Sequence, residues 1–111
     1  MKENLRSFAD EPTFLANSEY TGYGEPKRLV GAQNEIRNLA LDLVKKGQFS
    51  KTWFFDRCES AWSYFEMDDT EDREKVISYF EQMMDILEIK SSDGRLNNML
   101  YGPLAAPNVE Q

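Results

Sequence analysis

The sequence predicts an all-α protein, a small antiparallel bundle of three main helices with a short fourth helical segment. Three observations carry that prediction. Apolar residues recur at i, i+3/i+4 and i+7 in three separate stretches, which sets them on one face of a helix. No stretch of useful length alternates apolar and polar residues as a half-buried strand would. Cap and stop residues fall at the ends of the periodic stretches, and short connections favour antiparallel neighbours.

Residues 1–25 show no sustained period and are expected to form an irregular N-terminal arm. Leu5, Phe8, Phe14 and Leu15 seed only short turns, Pro12 interrupts them, and Thr21–Gly24 is loop chemistry. Aromatic residues recur through the arm at Phe8, Phe14, Tyr20 and Tyr23. The arm is therefore expected to pack, and by the usual behaviour of loops to pack over its own core.

The first helix is expected over residues 26–46. Pro26 suits a first helical position, where its missing N–H would have had no partner. Leu29, Ala32, Ile36, Leu39, Ala40 and Leu43 form the buried stripe, Lys45 and Lys46 complement the negative helix end, and Gly47 stops it. Gly31 weakens the first turn by about 1 kcal/mol relative to alanine.

Ser50 caps a second helix over residues 51–67. At about 100° per residue, Phe54, Phe55, Cys58, Ala61, Trp62 and Phe65 share one arc, and Asp56, Glu59, Ser60, Ser63 and Glu66 lie opposite. Trp53, Arg57 and Tyr64 fall outside the arc and line a strip on its flank. A third helix over residues 70–90 starts behind Asp69 as cap, with Glu71, Asp72 and Glu74 in its first turns. Val76, Ile77, Phe80, Met83, Met84 and Leu87 form its buried stripe; Glu74, Ser78, Glu81 and Asp85 face away, and Tyr79 and Ile86 border the stripe. Ser91–Gly94 is a loop, Leu96, Met99, Leu100 and Tyr101 mark a short segment over 95–101, and residues 102–111 are expected to be extended. The chain has 111 residues, 41% of them hydrophobic, which fits one domain with a real core: arm 1–25, helical core 26–101, tail 102–111.

Charge is unevenly distributed. The net charge is −7, from 13 basic and 20 acidic residues. Residues 1–55 hold 8 basic and 7 acidic groups, residues 56–88 hold 3 and 11, and residues 89–111 hold 2 of each. The acidity belongs to the hairpin of the second and third helices. Such a field repels phosphate backbones and attracts basic partners. With one cysteine, Cys58, there is no internal disulfide. The N-terminal stretch holds no apolar signal-like run, and no apolar stretch nears the roughly 20 residues needed to span a bilayer. A cytoplasmic protein is the expectation.

Candidate chemistry is sparse. Asp68, Thr70, Asp72 and Glu74 superficially match a calcium loop, but the glycine of the sharp turn is missing and Tyr79 stands where the bidentate Glu belongs. N-capping and a solvated acidic face explain these residues better. There is no histidine, which removes the commonest acid–base group and metal ligand together. Cys58 lies on the apolar arc with nothing to activate it. Gly22 and Gly24 precede a helix without a strand before them or any phosphate-loop spacing. Met83 and Met84 are core gap-fillers at helical spacing. No catalytic, metal-binding or cofactor-binding residue is expected.

What remains is a surface for a partner. Trp53, Arg57 and Tyr64 are residue types enriched at binding hot spots, and they border the acidic field, so these three with Glu71, Asp72 and Glu74 are the expected partner-binding residues. The competing role for Trp53 and Tyr64 is to pack beneath the N-terminal arm. The leading expectation is a non-enzymatic acidic interaction module, an inhibitor, adaptor or accessory subunit docking a basic protein surface, with no nucleic-acid or membrane contact. A DNA mimic is the second expectation, and a small enzyme or metal-binding protein the third.

Overall fold

The computed structural model describes residues 2–102; the expected tail lies outside them beyond Gly102. Among the described residues the protein is an all-helical bundle: α1 (Lys2–Asp10), a 3-10 turn (Pro26–Arg28), α2 (Leu29–Lys46), α3 (Lys51–Trp62), α4 (Thr70–Leu87) and α5 (Arg95–Tyr101). One continuous core joins the five α-helices.

The N-terminal arm differs from expectation. Residues 2–10 form α1, which buries Leu5, Phe8 and Ala9 against α2 and reaches α4. Those residues sit at i, i+3 and i+4, so the helical signal exists but is one turn long. Pro12 does not break the helix, because α1 has already ended at Asp10, where Glu11 N–H closes on the carbonyls of Ser7 and Phe8. Residues 11–25 then cross the bundle as an irregular strap that packs on its own core. Phe14, with φ 58°, donates its N–H to Tyr79 Oη at 2.7 Å and wedges its ring edge-on between Tyr23 and Tyr79. Tyr20 and Tyr23 are likewise buried.

In α2 the 3-10 turn takes the place of the first predicted helical turn, capped by Glu25 on the N–H of Lys27. The expected stripe is buried except Leu29, which is half-buried, and Val44 joins it. Gly31 has a steric purpose: a Cβ there would run into the hydroxyl and ring of Tyr64.

Ser50 caps α3 through Trp53 N–H at 3.0 Å, and all six residues of the predicted arc are buried. The α-helix stops at Trp62 rather than at 67. From there the chain tightens into i→i+3 turns, with Tyr64, Phe65 and Asp68 N–H bonded to the carbonyls of Ala61, Trp62 and Phe65. These turns still deliver Phe65 to the core.

α4 ends at Leu87, short of 90, because Glu88 adopts the left-handed conformation (φ 61°). Its N–H returns to Asp85 and Met84, and Ile89 N–H bonds to the Met84 carbonyl, the pattern of a Schellman stop usually built on glycine. Tyr79 is buried, not on the border, while Ile77 and Leu87 are only half-buried. α5 seats Leu96 in the core and leans on α3 and α4.

Candidate interaction surface

The flank of Trp53, Arg57 and Tyr64 is largely committed to the protein's own packing. Trp53 is half-buried, packed at a tilt against Phe49 with ring centroids 5.2 Å apart and the Lys46 ammonium 5.3 Å from its ring centroid. Arg57 pairs with Asp42 through two hydrogen bonds of 2.9 and 2.8 Å, tying α3 to α2. Tyr64 donates its hydroxyl to the Arg28 carbonyl at 3.0 Å, and the Arg28 guanidinium lies 4.3 Å above its ring. The three are not brought together. Each staples α3 or its exit to a neighbouring element, a use that one helical wheel does not reveal.

The acidic elbow divides between inside and outside. Asp72, expected on a partner surface, is 3% exposed. It accepts from Tyr20 Oη at 2.6 Å and from Gly24 N–H at 3.0 Å. Asp68 accepts from Tyr23 Oη and from the Arg28 guanidinium, which also donates to the Tyr64 carbonyl. The strap therefore crosses the start of α4 on two tyrosine–carboxylate bonds. The strap runs close over these carboxylates at Gly24, where a Cβ would lie 2.8 Å from Asp69 Oδ2 and 3.1 Å from Asp72 Oδ2. Burial, then the carboxylate each one serves, pushes both tyrosines well above the usual phenol range. The sequence reading missed this clamp: Tyr20 and Tyr23 appeared only as arm aromatics, and the pairing spans about fifty residues.

Glu71 and Glu74 are exposed, as expected, and belong to a longer feature. Glu71, Glu74, Glu81, Asp85 and Glu88 all face solvent on one side of α4 and its C-cap, recurring every three to seven residues. None of the five joins an ion pair among the described residues. At the elbow beside them Met67 is 93% exposed.

Among the described residues no three of His, Cys, Asp and Glu are grouped to hold a metal ion. Cys58 is fully buried, and that burial pushes its thiol well above the usual range, away from the reactive thiolate. No described helix is long and apolar enough to cross a membrane.

The fold and surface now have a family. The model of DUF4844, a domain of unknown function, matches residues 1–103, and the chain belongs to that family. The chain is also similar to a DUF3571 family protein from Acinetobacter baumannii AYE, known from a crystal structure: 25% identical, TM-score 0.78, covering 96% of this chain and 92% of that one. No curated protein matches the chain.

Proposed function

We propose that this protein is a non-enzymatic interaction module that docks a basic protein surface through the outer face of α4. The observation that carries this is the stripe of five exposed carboxylates without an internal cation among the described residues. The C-terminal part of the stripe works against the helix that bears it. Asp85 and Glu88 stand at the negative end of α4, whose last turn has no basic residue. Each carboxylate so placed costs about 0.3–1 kcal/mol, and like charges three or four residues apart add a few tenths more. Local conflicts without a compensating contact are characteristic of functional surfaces. Met67, beside the stripe, supplies an exposed apolar anchor of the adaptable kind used at interfaces. Trp53, Arg57 and Tyr64 then act by holding the hairpin in place, and contact with the partner rests on Glu71 and Glu74 with Glu81, Asp85 and Glu88.

The test is affinity capture from the native host with mass spectrometry, comparing the wild type with the variant E71Q/E74Q/E81Q/D85N. A partner with a basic surface should be retained by the wild type, lost with the variant, and not displaced by DNA alone. Equal capture by both proteins removes the α4 face from the mechanism. Displacement by DNA would instead favour a mimic of nucleic acid.

A further inference from the structure

Arg73 is out of keeping with the other half-buried arginines. Arg28, Arg57 and Arg95 each hold a carboxylate, whereas Arg73 joins no ion pair among the described residues. Its guanidinium makes two long hydrogen bonds, 3.3 Å to the Leu100 carbonyl and 3.4 Å to Thr70 Oγ1. Its Nε is buried with no partner among the described residues. A guanidinium has five donors in a fork suited to a carboxylate, and a buried one left unsatisfied is costly.

Arg73 lines a cleft of about 530 Å³ where α3, α4 and α5 converge. That volume falls within the range of about 300–1,000 Å³ typical of small-molecule sites. Three kinds of wall meet there. Arg73 offers the cation. Glu66, exposed and in no ion pair among the described residues, offers an anion, and Glu59, already held by Arg95, reinforces that sign. Trp62 and Met99 form an apolar wall, with the Asn98 amide beside it. Cation, anion and apolar surface around one cleft complement a ligand carrying all three features.

We propose that this cleft binds a small zwitterion of the α-amino-acid type, its carboxylate on Arg73, its ammonium on Glu66 and its apolar side chain against Trp62 and Met99. The site is separate from the outer face of α4, and either can fail without the other. Binding gives the Arg73 guanidinium a carboxylate in addition to its two long bonds to neutral acceptors, and it bridges α4 to α5. Occupancy therefore stabilises the packing of α5.

Trp62 is the natural reporter, once Trp53→Phe removes the other tryptophan. Leucine, 4-methylpentanoate and 3-methylbutylamine are titrated to about 10 mM, the affinity range in which small ligands give a few kcal/mol. Leucine should change the Trp62 emission saturably and raise the melting temperature. The acid and the amine, which each lack one charged group, should bind at least about tenfold more weakly. Arg73→Gln keeps an N–H donor for the Leu100 carbonyl and should abolish the leucine response while the protein stays folded by circular dichroism. Should Arg73→Gln fail to fold, Glu66→Gln on the exposed rim serves instead, and it should weaken leucine without affecting 4-methylpentanoate. Absence of a saturable leucine response, equal binding of the acid or the amine, or a response that survives both substitutions would overturn the proposal.

Discussion

At the scale of single residues, Asp72 shows how a carboxylate is turned from surface charge into internal tether. Its helix position is that of an N-terminal acid, yet two donors from the strap satisfy it in the interior. Asp72→Ala should cost about 2–3 kcal/mol in urea denaturation, the range for stranding buried donors that served a charged group. The paired tyrosines set a pH limit. Their folded-state pKa values are raised, so the neutral form is the stabilised one. That stability is complete below the ordinary phenol value of 10.0 and is lost as pH rises past it. The melting temperature should hold steady through neutral pH and fall from about pH 10 upward, and Tyr20→Phe with Tyr23→Phe should flatten that fall while lowering stability at pH 7. Glu88 predicts the opposite sign of change. A left-handed non-glycine residue carries about 1–2 kcal/mol of strain, so Glu88→Gly should stabilise by about 1 kcal/mol.

Whole elements were legible wherever periodicity ran for several turns. The six arc residues are buried as the wheel predicts, five on α3 and Phe65 in the turns that follow it, because aromatic and small residues over three turns define one face. In α1 the same rule spans one turn, and a nine-residue helix is marginal on its own. Packing on α2 and α4 stabilises it, and periodicity within nine residues carries no information about them. Leu5→Ala should therefore cost about 2–4 kcal/mol, as at a fully buried core site, although the sequence assigned Leu5 to an arm. The fit of α2 against the α3 exit is sharper still. Gly31→Ala gains about 1 kcal/mol of helix propensity but drives a methyl into Tyr64. The net effect should be destabilising by about 1 kcal/mol or more. Adding Tyr64→Phe, which removes the clashing oxygen, should recover part of it; an unrelieved double variant would show that the collision is not the cause.

For the molecule as a whole, the charge segregation was readable from the sequence, but its division between inside and outside was not. Residues 56–88 carry the acidity. The fold spends Asp68 and Asp72 on the strap, pairs Asp56 and Glu59 with Arg95, and leaves the α4 stripe to solvent. Trp53, Arg57 and Tyr64 looked like a partner's footing because their true partners, Lys46, Asp42 and Arg28, lie on or beside α2, too distant along the chain for spacing rules to connect. If the stripe exists for a partner, neutralising it should leave the protein as stable as before or slightly more so, since like-charge pairs are relieved. Binding alone should suffer. The most direct measurement is the calorimetric affinity of the captured partner for the wild type and for E71Q/E74Q/E81Q/D85N, each at about 50 mM and about 300 mM salt, where screening lengths differ by more than twofold. The wild type should bind at least about tenfold more weakly at the higher salt, and the variant should bind weakly at both. A folded variant that binds as tightly as the wild type, with the same salt dependence, would contradict docking through α4.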